Sequence, residues 1–222
     1  MKTTLDILYK DMLIEWRARS RTVALLSFAY TILLLFAFAI GPDAAALRHH
    51  AGAYLWLGLL LCSTLLLDRS MRIEFEADAI SKLLLVPVSA PGLFYGKAIA
   101  NSVQLWLVGL ISIPMVIVIC DATITEHWAW LVLTILLGGA GLAAPGTLYS
   151  AMIARLSGRQ LLLPLMLFPL VVPVVVAAVK TTSLVMLGDP MNQAGSWLVL
   201  LGCFNLIYWS LCGVLFGRVV EA

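Results

Sequence analysis

Charge is what this chain has least of. Of its 222 residues, 12% are Asp, Glu, Lys or Arg and 62% are hydrophobic, where a soluble domain carries about 25% and 45–50%. No water-soluble core of this length hides that much apolar surface. A soluble globular enzyme, a disordered chain and a nucleic-acid module are therefore excluded. The net charge of +2 names no polyanionic partner. Catalytic signatures are lacking too: there is no HExxH, CxxC or GxSxG and no pair of carboxylates inside an apolar run, so no catalytic residue and no metal-ligand set is assigned. The four cysteines, Cys62, Cys120, Cys203 and Cys212, sit in or at the ends of apolar runs and read as small apolar helix residues. Gly92-Leu93-Phe94-Tyr95-Gly96-Lys97-Ala98 superficially resembles a phosphate loop. Its glycines are one residue too close, Ala98 stands where a hydroxyl would hold magnesium, and no strand precedes it.

What the sequence does have is long runs without charge. They are Thr22–Pro42, His49–Leu67, Ala98–Cys120, His127–Ala154, Gln160–Val179 and Pro190–Gly217. Each reaches roughly the 18–20 residues that cross a hydrocarbon core. Outer-membrane strands are shorter and alternate in polarity, whereas these runs are apolar on every face. The reading is an all-α polytopic membrane protein, one transmembrane domain over residues 1–222. Its six spans lie near 22–41, 49–67, 98–120, 129–153, 160–179 and 196–217.

Lys and Arg assign the sides. The N-terminal segment holds Lys2, Lys10, Arg17, Arg19 and Arg21. The connection after span two holds Arg69, Arg72, Lys82 and Lys97, Arg155 and Arg159 follow span four, and Arg218 follows span six. Of the 14 basic residues, only Arg48 and Lys180 fall on the other side. Both termini are thus expected in the cytoplasm. Ala37-Phe38-Ala39 looks like a signal-peptidase site, but Asp6, Asp11 and Glu15 precede it in a helical pattern, and cleavage is not expected.

Two cytoplasmic elements stand out. Residues 1–21 place Leu5, Leu8, Tyr9, Met12, Leu13 and Trp16 on one helical face with Asp6, Lys10, Arg17 and Arg21 opposite. Ile7 and Ile14 break the pattern. This reads as an amphipathic helix in the membrane interface, either a plain anchor for span one or a partner contact. The second element is the connection 68–97, the longest in the chain. Asp68–Lys82 lacks Gly and Pro and offers Arg72/Glu76 and Asp78/Lys82 as i,i+4 ion pairs. It is expected to form a short charged helix, stopped by Val86–Gly92 with its two prolines. Such a helix suits docking of a soluble partner, with Phe75 as an apolar knob and Arg72, Glu74, Glu76, Asp78 and Lys82 as charged contacts. A solvated cap on the bundle is the alternative.

On the opposite face the connections are short. Arg48, His49, His50, His127 and Trp128 collect there. They read as interfacial polarity and an aromatic belt, or as contacts to an exposed haem or its carrier. Inside the membrane, Gly139, Ala143 and neighbouring small residues around Pro145 permit close packing. Pro164, Pro169 and Pro173 are expected to kink span five. These positions read as a gating or a packing interface. No acid or base falls mid-span, so neither a proton relay nor ion-coupled transport is expected. Energy must then come from a partner.

The chain resembles the CcmB family, haem exporter protein B, the ABC-type permease subunit of cytochrome c maturation. The resemblance rests on Gly41-Pro42-Asp43, on Leu67-Asp68-Arg69, Phe75-Glu76 and Lys82–Pro87, on Gly96-Lys97-Ala98, and on Leu137-Gly138, Ala144-Pro145-Gly146 and Leu161–Leu165 with Pro169 and Pro173. Where the family has Glu/Gln-Asp-Gly-Ser, this chain has Glu76-Ala77-Asp78-Ala79, and the C-terminal third matches weakly. The resemblance implies an ABC-2-type permease of the bacterial inner membrane with no cofactor of its own. It implies a CcmA-like partner ATPase that binds ATP and magnesium, the membrane subunits CcmC and CcmD, and the haem chaperone CcmE at one remove. ATP hydrolysis would release the haem-loaded chaperone, or haem would itself be exported. A homodimer and a pairing with a different membrane subunit both fit. The competing readings are a permease of another ABC-2-type lipid or drug exporter and a membrane assembly factor that transports nothing.

Overall fold

A computed structural model describes residues 2–17, 19–76, 90–124, 128–154 and 162–221. Among them the chain is helical throughout, without strands. The helices are α1 (Lys2–Arg17), α2 (Arg19–Ile40), α3 (Ala44–Glu76), α4 (Ala90–Cys120), α5 (Trp128–Ile153), α6 (Leu162–Leu187) and α7 (Ala194–Glu221). Six of these, all but α1, are long and apolar enough to cross a membrane. The protein is a polytopic membrane protein, and its spans alternate in direction. One end of the bundle therefore gathers α1, the start of α4 and the ends of α3, α5 and α7.

Turns at the other end follow from local chemistry. Gly41 and Gly188 adopt φ of +76° and +101°, the left-handed conformation that closes a helix, and their amides return to Ala37 and Leu184 carbonyls. Asp43 Oδ1 accepts from the amides of Ala45 and Ala46 at the start of α3. Asp189 does the same for Gln193 and Ala194 before α7.

Helix bounds depart from the sequence expectation in three places. Residues 68–76 do not begin a separate helix: α3 runs on unbroken to Glu76, because nothing between Asp68 and Glu76 breaks it. The next span begins at Ala90 rather than near Lys97. Pro91 lies in its first turn, where an absent amide costs nothing, so this proline starts a helix instead of ending one. Lys180 is not in a loop, since α6 continues to Leu187. Its Lys-Thr-Thr-Ser run looks like a connection, but Thr181 and Thr182 are fully buried and their hydroxyls are engaged.

Helix α5 is the most enclosed span. Its glycines admit side chains from its neighbours. A Cβ at Gly138 would overlap the Trp56 ring of α3, and one at Gly146 would overlap Leu67 of the same helix. A Cβ at Gly139 would come 2.8 Å from Trp106 of α4, and one at Gly141 2.8 Å from Val174 of α6. The small residues here serve to seat large side chains, two of them indoles.

Ala143, one of the small residues read as a gating or a packing interface, is fully buried inside the main core of the bundle. Its carbonyl accepts the Thr147 hydroxyl at 2.7 Å, and Asn101 of α4 donates to that hydroxyl oxygen at 2.9 Å. The turn after Ala143 is thus tied to α4 by hydrogen bonds as well as by packing. Sequence spacing shows that Ala143 is small and one turn from Gly139, but not that neighbours enclose it on every side. Pro145 is enclosed in the same way.

The same stretch of α5 collects donors from outside: Trp106 Nε1 to Leu136 O at 2.8 Å, Asn205 Nδ2 to Leu137 O at 2.9 Å and Trp209 Nε1 to Ala140 O at 3.2 Å. These lie just before Pro145, whose missing amide leaves the Gly141 carbonyl without its helical donor. Neighbouring helices supply such donors in a bilayer, where water cannot.

Pro164 falls in the first turn of α6 and requires no kink, contrary to expectation. Pro169 and Pro173 lie inside the helix. Tyr208 Oη of α7 donates to Leu170 O at 2.7 Å, one carbonyl along from the one that Pro173 leaves without a donor.

Candidate functional site

The end of the bundle where α1 lies has a core of its own. It is built from Ile7 of α1, Met71 of α3, Leu93, Phe94 and Ala98 of α4, Ala144, Leu148, Ala151 and Ala154 at the end of α5, and Cys212 and Phe216 of α7. Among the described residues α6 contributes nothing to it. Phe94 is fully buried, 5.4 Å from the Phe216 ring and 6.5 Å from Trp209. Tyr95 stacks on Trp209 at 6.2 Å, and Gly213 leaves room for its hydroxyl.

Helix α1 is seated on α4, not merely laid beside the bundle. Ile7, the residue that seemed to break its amphipathic pattern, is the buried one, while Tyr9 is 68% exposed. The side facing the protein is Thr4, Ile7 and Asp11. A Cβ at Gly96 would stand 3.0 Å from Ile7 and 3.1 Å from the Thr4 carbonyl, so the absence of a side chain at Gly96 allows the approach. The next residue, Lys97, is 3% exposed. Its Nζ meets Asp11 Oδ2 at 3.2 Å and donates to the Ser70 carbonyl of α3 at 3.1 Å. Lys10 reaches the other Asp11 oxygen at 3.5 Å. Sequence reasoning used Lys97 to mark a side and as part of the family resemblance, and Asp11 to argue against a signal peptide, without joining the two. The available signal was a lysine flanked by Gly96 and Ala98 in an otherwise apolar stretch.

The residues expected to dock a partner divide. Arg72, Glu74, Phe75 and Glu76 lie on the last two turns of α3. Asp78, Lys82 and the Val86–Ser89 part of the expected stop lie outside the described residues. Arg72–Glu76 thus ends a rigid extension whose root, Ser70–Met71, is held by Lys97 and the small core.

At the opposite end, Arg48 pairs with Asp121, tying the start of α3 to the residue after α4. His49 and His50 are exposed and meet edge to face at 4.9 Å. His50 is 6.0 Å from Tyr54, which stacks on Phe36 of α2 at 4.9 Å. Trp128 opens α5 and is exposed, and His127 lies outside the described residues. Both members of the Arg48–Asp121 pair are about half exposed or more. Solvent screening makes such a pair worth at most about 1 kcal/mol. Asp121→Asn should therefore leave the melting temperature of the detergent-solubilised chain nearly unchanged, a weak effect that thermal unfolding will check.

The family model described as CcmB protein matches residues 2–220, both ends of the described bundle included. The chain belongs to the CcmB family. Curated relatives agree with that membership. A "Heme exporter protein B" of Rhodobacter capsulatus is 30% identical over 170 residues, covering 77% of this chain and 78% of the relative. One of Paracoccus denitrificans is 29% identical over 192 residues, 84% and 85% of the two chains. One of Bradyrhizobium diazoefficiens is 27% identical over 194 residues, 87% and 86%. The match to CcmB takes in α1 and the α3–α4 connection as well as the spans.

Proposed function

We propose that this CcmB-family chain is the permease subunit of an ABC-type complex for cytochrome c maturation. Both termini face the cytoplasm of a bacterial inner membrane, as the distribution of Lys and Arg favours. A CcmA-like ATPase docks on the segment that begins at Arg72, and its ATP cycle moves that segment. Through the bundle the motion reaches the outer face, where a haem-loaded chaperone is released. The observation that carries this reading is the extension of α3 beyond its apolar stretch, ending in Arg72, Glu74, Phe75 and Glu76, within a chain that the CcmB family model matches from end to end. The printed name of the relatives favours a second reading, export of haem itself.

The test is co-expression with the candidate ATPase, CcmC and CcmD, purification in detergent, and addition of ATP and haem-loaded chaperone. Copurification with ATP-dependent chaperone release is the expected result. Copurification without release, together with ATP-driven haem movement into vesicles, favours export. Phe75→Ala with Glu76→Ala should reduce ATPase copurification by about tenfold, the scale of one or two lost interface anchors. If ATPase retention and cytochrome c yield are unchanged, docking at this segment is wrong. If no ATPase is retained by the unaltered chain, the ABC reading falls.

A further inference from the structure

Charges are rare in this chain, yet one ion pair is placed where an apolar contact would serve packing as well. Asp11 is 13% and Lys97 4% exposed at the side chain. Taking two charges out of water costs nearly what their attraction returns, so such a pair is a poor stabiliser. What it does supply is registry. Apolar surfaces tolerate a slip, whereas a lysine bound to a carboxylate on one helix and a carbonyl on another fixes the relative placement of three helices. Here those helices are α1, the end of α3 and the start of α4. Arg72–Glu76 extends α3 past that point, so the pair sits at the root of the extension.

The same root is keyed to the bundle. Ile7 of α1 and Met71 of α3 share a core with Phe94 of α4, which reaches Phe216 and Trp209 of α7, and with the end of α5. A displacement of the Arg72–Glu76 end of α3 therefore has a packed route to α5 and α7 that bypasses the proline-bearing α6.

We propose that Asp11 and Lys97 are positioning residues for energy coupling. Their ion pair makes α1, the end of α3 and the start of α4 one body, so that movement of the docking segment is passed to α5 and α7 rather than absorbed locally. This rests on the proposed role of the chain as a permease driven by a partner ATPase. In the purified complex of full-length chains, Asp11→Asn and Lys97→Met should keep membrane level and ATPase copurification near those of the unaltered chain. ATP turnover should continue. Cytochrome c yield per ATP hydrolysed should fall about tenfold, within the usual range of coupling free energies. Asp11→Glu and Lys97→Arg, which keep both charges and the donor to the Ser70 carbonyl, should retain that yield.

Unchanged yield per ATP in both single variants overturns the proposal and leaves the permease reading standing. So does a yield that falls only in step with membrane level. If Asp11→Asn and Lys97→Met fail to accumulate, normal level and yield in Asp11→Glu and Lys97→Arg support the pair. Normal level without yield in those two conservative variants, or neither, overturns it. Loss of ATPase from the unaltered chain removes the permease reading itself, and the coupling role with it.

Discussion

Gly138→Val should be the most damaging single substitution in the membrane-embedded part of this protein. The chain is expected to accumulate in the membrane at a small fraction of its normal level and, under the proposed function, to support no cytochrome c maturation. A Cβ at this position already overlaps the Trp56 ring, and valine adds two methyl groups to it. The ring has nowhere to go. Trp56 is fully buried, and its Nε1 donates to Thr182 Oγ1 at 2.9 Å. A retreat would break a hydrogen bond in a region without water. Overpacking of a filled core costs about 1–3 kcal/mol when side chains can shift and more when they cannot. Immunoblotting of membranes and thermal unfolding in detergent measure the effect. A smaller partner should restore part of the loss: Gly138→Ala with Trp56→Phe is expected to be more stable than Gly138→Ala alone. If the two changes are simply additive, the indole is not what Gly138 makes room for.

Phe94→Ala should have the next largest effect, with a different signature. Deleting a fully buried aromatic ring from a packed core costs about 3–5 kcal/mol. The ring touches both α4 and α7 through Tyr95, Trp209 and Phe216. Under the proposed function, the variant should lose cytochrome c yield more steeply than it loses membrane level. Phe94→Leu, which keeps most of the volume, should recover level before yield. A proportional fall of both in the two variants would reduce Phe94 to a packing residue.

The spans were legible because a bilayer imposes one rule that a sequence obeys openly: about 20 residues without charge. Their ends were less legible, and each miss has a physical reason. Lys180-Thr181-Thr182-Ser183 looks like a connection, but threonine hydroxyls can bond inside a helix or to a neighbour's indole, and only the three-dimensional partner reveals it. Pro91 and Pro164 look like breakers until their place in a first turn is known. The count of apolar residues on α1 does not single out the face that meets the bundle. Its protein-facing side is marked by Thr4, Ile7 and Asp11, and no hydropathy pattern selects that combination. The Asp11–Lys97 pair joins residues far apart in sequence, so spacing carries no trace of it. The resemblance to CcmB, by contrast, rested on short motifs spread along the chain, and the family match from residue 2 to 220 accords with it.

Helix α3 has a consequence as a strut. Its length, Ala44–Glu76, corresponds to about 50 Å at 1.5 Å per residue, well beyond the roughly 30 Å of hydrocarbon. Trp56 and Leu67 are lodged against the bare backbone of α5 at Gly138 and Gly146, so α3 is held at two points about 16 Å apart. A load taken at Glu76 is therefore handed to α5 along the strut rather than turned about a single pivot.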